Sequence, residues 1–222
     1  MITFKETMLK SIAAGIMIGF GGAVFLVQKN PLVGALFFTV GLFTIVEFGF
    51  FLFTGKACYL LQSDKAALRR LPVIWLGNLL GTGAVSLLLR TTRLAGAVTE
   101  RASTMVAAKL GDSLVSLFVL GCLCNLLIYV AVEGYNKSRY DLGRYLALFF
   151  GVMVFILSGF EHSIADMFYF WTGNGWNAQG VVAILVITAG NVVGGAFLPT
   201  LRQWAEEKPK SATTQAKVEK TE

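Results

Sequence analysis

Charged residues are scarce in this sequence. They make up 14% of its 222 residues, compared with roughly 25% in ordinary globular domains. Hydrophobic residues account for 55%, and the mean hydropathy is +0.68. A composition with so little charge argues against a single soluble core and against intrinsic disorder. It is typical of proteins that cross a membrane several times.

The chain also has few residues of the kinds that form disulfides or bind metals. Its three cysteines, Cys58, Cys122 and Cys124, lie inside apolar runs and lack the spacing of a disulfide or a metal site. We interpret them as buried small hydrophobic residues. His162 is the single histidine. The sequence therefore predicts no metal site and no cofactor.

Long apolar stretches dominate what is present. Each of six stretches is long enough to cross a bilayer, which takes about 20 helical residues, and they cover residues 11–27, 32–61, 71–89, 113–132, 144–170 and 180–201. The second is interrupted at Phe53–Lys56 and the fifth at Ser158–Ser163. Backbone polar groups freed at such breaks cannot face lipid. We therefore expect both breaks to line a cavity or to pack against protein.

The positive charges are placed as in a membrane protein rather than a nucleic-acid-binding protein. The formal net charge is +6, but lysine and arginine lie mainly at the ends of the apolar stretches and in the C-terminal segment. Most share a side with the two termini, which predicts cytoplasmic termini and a location in the inner membrane. We expect residues 1–202 to form one transmembrane domain and residues 203–222 to be a disordered cytoplasmic tail. No nucleic-acid partner is predicted.

The two breaks belong to an internal repeat. Gly159 lies 110 positions after Gly49, and Asp166 lies 110 positions after Lys56. In the following span of each half, the pentapeptide Gly-Asn-Leu-Leu-Gly that begins at Gly77 is repeated as Gly-Asn-Val-Val-Gly. An odd number of spans per repeat inverts the second half. The sequence thus predicts an all-α membrane protein with six transmembrane helices in two inverted three-helix repeats, with spans 2 and 5 broken.

These motifs resemble those of a known family. The segment 52–55, Leu-Phe-Thr-Gly, is similar to the second-span break of the formate/nitrite transporter family, and 159–168 closely resembles its fifth-span signature. Asn125 matches its fourth-span asparagine, and Lys109 matches a lysine of its vestibule. The resemblance implies an aquaporin-like protomer, a homopentamer surrounded by lipid, and one channel per protomer. It also implies passage of small monovalent anions such as formate, nitrite or hydrosulfide, with protons involved.

The residues at the breaks are the candidate substrate pathway. An imidazole in an apolar span is expected to be mostly neutral, able to donate a hydrogen bond to an anion and to exchange protons. The alternative interpretation is a core histidine that pins the broken helix through Glu161 or Thr54. We expect Thr54 to face His162 across the pore, and Lys109 to open the fourth span and attract anions. The predicted pathway comprises Thr54, Lys109, Asn125, Glu161 and His162, and the family resemblance implies apolar constrictions at Leu42, Leu52, Phe53, Ile128 and Phe155.

Two matched positions carry opposite charges where we expect asparagine. Lys56 and Asp166 would each be costly to bury alone, so we predict that they form a salt bridge that latches the two half-helices. The Thr-Gly-Lys break resembles the hydrosulfide-channel branch of the family. Glu47, also predicted to be buried, is expected to bond to a neighbouring helix or a freed backbone amide.

Two other classes of protein remain open. An aquaporin-like channel for neutral solutes has the same architecture, but its paired Asn-Pro-Ala motifs are absent. An intramembrane hydrolase would pair His162 with Ser158 or Ser163, but no Gly-x-Ser-x-Gly pattern surrounds either serine. We therefore predict a channel without catalytic residues rather than an enzyme.

Overall fold

The computed structural model describes residues 2–206, which fold as an all-helical bundle. Its elements are α1 (Phe4–Val27), α2 (Pro31–Glu47), α3 (Phe53–Ala57), a single 3-10 turn (Leu60–Gln62), α4 (Lys65–Arg90), α5 (Ala95–Leu110), α6 (Leu114–Lys137), α7 (Asp141–Leu157), α8 (Ser163–Thr172) and α9 (Ala178–Glu206).

Side-chain caps fix the start of several helices. The side chain of Asn30 accepts the backbone N–H of Leu32 at 2.9 Å, and Pro31 follows at the first helical position of α2. Asp64 caps α4 by accepting the N–H of Ala67 at 2.7 Å. Each cap satisfies a backbone donor that has no partner within its own helix.

The second apolar stretch contains two helices separated by residues 48–52. Gly49, with φ +64°, turns the chain out of α2, and the Phe50 N–H bonds back to the Ile45 carbonyl at 2.9 Å. The predicted position of this break is wrong, because Phe53–Ala57 is helical. The fifth stretch follows the same course: Gly159 has φ +68°, and residues 158–162 separate α7 from α8.

The helices pack as two corresponding halves. In the first half α1 packs against α4 and α2, and in the second half α6 packs against α9 and α7. Gly81 on α4 and Gly194 on α9 allow this close approach, since a Cβ at either position would overlap the backbone of the facing helix. The short helices α3 and α8 contact helices of both halves. They therefore lie where the halves meet.

The helices have the length and the exposed apolar side chains of a multi-pass membrane protein. Four of them, α1, α4, α6 and α9, are long and apolar enough to cross a bilayer. Large apolar side chains are exposed on their outer faces, including Phe20 on α1, Leu80 on α4 and Leu185 on α9. Apolar surface of this kind is suited to lipid or to a neighbouring subunit.

Two segments differ from the sequence predictions. Residues 95–110, predicted only as a connection, form α5, which packs against α8. At the C-terminus α9 extends to Glu206, so residues 203–206 are helical, and Arg202 bonds to Glu206 one turn later at 2.8 Å. The rest of the predicted tail, 207–222, lies outside the described residues.

Candidate functional site

Two asparagines of the repeated pentapeptides hold the chain breaks. Asn78 Oδ1 accepts the N–H of Phe53, and its Nδ2 donates to the carbonyls of Phe51 and Ser11, at 2.8, 2.9 and 2.7 Å. Asn191 makes the corresponding bonds to Ser163, Glu161 and Gly121 at 2.9, 2.8 and 2.8 Å. At both breaks an asparagine side chain therefore bonds freed backbone groups inside the protein. The repeat was visible in the sequence, but this role of its asparagines was missed.

The breaks bring Thr54 and His162 into contact in the centre of the protein. Thr54 Oγ1 lies 2.9 Å from His162 Nε2, and the two residues are 0% and 2% exposed. His162 is also the N-cap of α8, where its Nδ1 accepts the backbone N–H of Ala165 at 3.1 Å. A ring nitrogen that accepts a hydrogen bond carries no proton. The neutral ring therefore has its proton on Nε2, facing Thr54.

Two cavities are lined by this pair or by its sequence neighbours. The Lys56 cavity, of about 260 Å³, is lined by Leu42, Leu52 and Lys56 with neighbouring residues. The Lys109 cavity, of about 70 Å³, is lined by His162 and Phe155 together with Lys109. His162 thus lines one cavity, and Leu52 and Gly55, close to Thr54 in sequence, line the other.

Aromatic rings form the wall of the Lys109 cavity. The rings of Phe155 and His162 stack with centroids 5.5 Å apart and an interplanar angle of 18°. Phe38 meets Phe155 edge-on at 6.3 Å and lines the same cavity. Phe38 was missed from the sequence, although its position four residues before Leu42 placed both on one face of α2.

The other predicted constriction and pathway residues lie elsewhere. Phe53 and Ile128 are buried but line neither of these two cavities. Asn125 also lies outside both cavities, and its Nδ2 donates to the carbonyls of Asn191 at 2.7 Å and Thr54 at 3.1 Å. Asn125 therefore positions the Thr54 backbone rather than facing the open space.

Lys109 forms an ion-pair cluster at the edge of its cavity. It lies in the last turn of α5, so the prediction that it opens the fourth span is wrong. Its Nζ contacts Glu161 Oε2 and lies 3.0 Å from Asp166 Oδ1. The lysine side chain is 11% exposed, and the carboxyl side chains are 6% and 3% exposed. The ammonium is therefore compensated rather than open to solvent.

The predicted salt bridge between Lys56 and Asp166 is wrong. Asp166 pairs with Lys109, whereas Lys56 Nζ lies 5.0 Å from the centroid of the Phe51 ring and has no carboxylate partner among residues 2–206. Matched positions in two repeats contact each other only near the symmetry axis, and these two face different cavities. Glu47, predicted to be buried, is exposed and accepts a hydrogen bond from Tyr135 on α6.

The hydrogen bonds at the site differ from those that the hydrolase alternative requires. His162 Nε2 faces Thr54 rather than a serine, and Ser163 uses its backbone N–H to bond Asn191. Across the part of the chain that the structure covers, no cluster of side chains could hold a metal ion. The central features are a hydrogen-bonding pair, apolar walls and one lysine at each cavity.

Comparison with known proteins identifies the family. The family model described as Formate/nitrite transporter matches residues 1–205. The chain belongs to the formate/nitrite transporter family. The nitrite transporter NirC of Escherichia coli is 30% identical over 219 residues, covering 88% of this chain and 81% of NirC. A probable formate transporter of Methanothermobacter thermautotrophicus is 29% identical, covering 90% of this chain and 88% of that protein.

Solved structures of the family agree with this assignment. A pentameric formate channel with formate bound matches with a TM-score of 0.75 and 27% identity, over 91% of this chain and 96% of the channel chain. A second structure, described as an FNT family ion channel, matches with a TM-score of 0.78 and 26% identity, over 90% of both chains. The resemblance of the sequence to the formate/nitrite transporter family is confirmed.

Proposed function

We propose that each protomer of this formate/nitrite transporter family member passes small monovalent weak-acid anions between the Lys56 cavity and the Lys109 cavity. The observation that carries the proposal is the buried Thr54–His162 contact between them. The apolar walls require a passing species to shed its water. The polar pair between the two cavities can then hold that species by hydrogen bonds.

The chemistry of the pair favours an anion that can accept a proton. The Nε2–H of His162 donates to the Thr54 oxygen, and the hydroxyl hydrogen of Thr54 is then a donor for a passing anion. Leu42 and Leu52 on one side and Phe155 on the other offer no polar contact. An anion must give up its favourable hydration to cross these apolar side chains, whereas its neutral acid pays a much smaller desolvation cost. Weak-acid anions therefore cross more readily than chloride.

Charge at the cavities supports anion entry. Lys56 has no carboxylate partner among the described residues and lines the larger cavity. Its ammonium raises the local concentration of anions, an effect that salt screens. At the opposite cavity, Lys109 offers a second ammonium, shared with two carboxyl groups.

We further propose that the chain crosses the membrane six times. The four long helices supply four spans, and the helix pairs α2–α3 and α7–α8 supply two discontinuous spans with their breaks at the midplane. The corresponding packing of the two halves supports an inverted repeat. The distribution of lysine and arginine favours cytoplasmic termini in the inner membrane.

A homopentamer is the proposed assembly. The support is the similarity to a solved pentameric formate channel over 91% of this chain, together with apolar outer faces that can meet lipid or a neighbouring subunit. Cross-linking or native mass measurement of the purified protein should give a pentamer. A clean monomer in mild detergent would count against this assembly.

Formate, nitrite and hydrosulfide are the proposed substrates, and the relatives named for nitrite and formate support the first two. Hydrosulfide is included because of the Thr-Gly-Lys break. Anion flux into liposomes that contain the purified protein tests the proposal. We expect uptake of at least one of these anions well above that of chloride, whereas equal chloride flux would contradict it.

A further inference from the structure

The Lys109 cluster contains more acidic than basic groups. One ammonium contacts two carboxyl groups, those of Glu161 and Asp166, and all three side chains are at most 11% exposed. If both carboxyl groups were ionised, the cluster would have a net charge of −1 beside a proposed anion pathway. A buried net charge is costly, and a negative one would also repel the substrate.

Neighbouring groups do not offset this charge. His162 is neutral, because its Nδ1 accepts a backbone hydrogen bond. Arg101, on α5, donates to backbone carbonyls at the end of α1. The other titratable groups that face Asp166 are Cys124 on α6 and Tyr169 on α8, and neither can carry a positive charge. Within residues 2–206, Lys109 is the cation that contacts the two acids.

One oxygen of the cluster is left without a partner. Asp166 Oδ2 is buried and makes no hydrogen bond within the described part of the chain. A buried carboxylate oxygen without a donor is unfavourable, whereas a protonated carboxyl group needs less compensation. Glu161 and Asp166 contact the same nitrogen atom and are therefore neighbours, and adjacent buried carboxyl groups favour retention of a proton on one of them.

We propose that Glu161 and Asp166 form a carboxyl pair that holds one proton, so that the Lys109 cluster is electrically neutral in the resting protein. The proton belongs to the pair and not to one residue. An anion in the Lys109 cavity can take this proton from the acid O–H and continue as the neutral acid. The pair then keeps one additional negative charge until it takes a proton from water in the cavity.

The role of the pair in transport rests on the proposed function, but its protonation does not, and the two can be tested separately. Infrared spectroscopy of the purified full-length protein at neutral pH should show the C=O stretch of a buried protonated carboxyl group. Asp166→Asn and Glu161→Gln should each abolish the band, because the remaining carboxylate pairs one-to-one with Lys109. Glu47→Gln, at an exposed carboxylate, is the matched control and should leave the band unchanged.

Two results would overturn the proposal. One is the absence of the band from the wild-type protein. The other is its persistence in both Asp166→Asn and Glu161→Gln, which would place the proton elsewhere. A wild-type protein that shows the band but transports none of the tested anions would support the proton site while contradicting the proposed function. If transport is present, Asp166→Asn should reduce the increase in flux that accompanies mild acidification.

Discussion

Asn78 and Asn191, 113 positions apart, hold the two chain breaks through the same set of three hydrogen bonds. In each half the asparagine accepts the first N–H of a short helix and donates to two carbonyls, one within the break and one on a neighbouring long helix. The repeat in the sequence thus corresponds to a repeated structural device. In the second half this device fixes α8, whose N-cap is His162.

Removal of either asparagine should destabilise the protein. Asn78→Ala or Asn191→Ala leaves the first N–H of a short helix and the carbonyl within the break without their amide partner in a buried setting, at a cost of about 1–3 kcal/mol for each unsatisfied group. We expect a clear fall in the melting temperature of the purified protein. Asn136→Ala, at an exposed position on α6, is the control and should melt like wild type. Unchanged melting of both core variants would show that these bonds contribute little.

Double-mutant cycles should distinguish the observed ion pair from the predicted one. Lys109 contacts Asp166 directly, so the effects of Lys109→Met and Asp166→Ala on the free energy of unfolding should be non-additive when combined. Lys56→Met and Asp166→Ala should be additive to within about 0.5 kcal/mol, because these residues do not meet. Thermal or denaturant unfolding in detergent provides the measurement. A large coupling between Lys56 and Asp166 would contradict the structure.

The sequence predicted the repeat, the apolar stretches and the polar residues at the breaks, because these depend on local composition and spacing. It also predicted that Thr54 faces His162. The prediction of a Lys56–Asp166 salt bridge was wrong for a physical reason. An inverted repeat relates two positions by symmetry, but residues related in this way touch only near the axis. Thr54 and His162 are not matched positions of the repeat. Their contact was predicted from the break motifs in which they lie.

The partners of Lys109 could not be predicted from spacing. They lie 52 and 57 residues away, and they reach the lysine because α5 packs against α8. This helix has too little hydrophobic character to stand out as a span, so the sequence offered only a connection there. The start of α3 was missed for a similar reason, since its first N–H is capped by Asn78 from a distant helix.

Lys56→Met should slow anion entry without unfolding the protein. The ammonium lines the larger cavity and lacks an acidic partner among the described residues, so its removal weakens attraction of the anion. We expect initial flux at low ionic strength to fall about two- to fivefold, with a smaller difference at high salt. Lys65→Met, at the exposed start of α4, is the matched control. A loss of flux that is independent of salt would argue against an electrostatic role.

Flux should increase as pH falls. The neutral acid form of formate, nitrite or hydrosulfide becomes more abundant at lower pH, and this form crosses the apolar walls without the cost of desolvating a charge. Chloride, whose acid is strong, should remain poorly transported at every pH. Liposome flux measured at matched anion concentration over a pH series tests this directly. Flux that is independent of pH for all three weak-acid anions would exclude a step that involves the neutral acid.

The Thr54–His162 contact is central to the proposed pathway, and variants at these two positions test it most directly. Thr54→Val keeps the size of the side chain but removes the hydroxyl, and the loss of one hydrogen bond worth about 1.4 kcal/mol corresponds to about tenfold in rate. Flux of hydrosulfide, nitrite, formate and chloride should be compared in liposomes for wild type, Thr54→Val and His162→Ala, with oligomeric state and melting checked for each. We expect weak-acid anion flux in wild type, poor chloride flux, and impaired flux in both variants while their assembly is retained. Full weak-acid anion flux through His162→Ala, or chloride flux equal to that of the weak-acid anions in wild type, would contradict the proposed pathway.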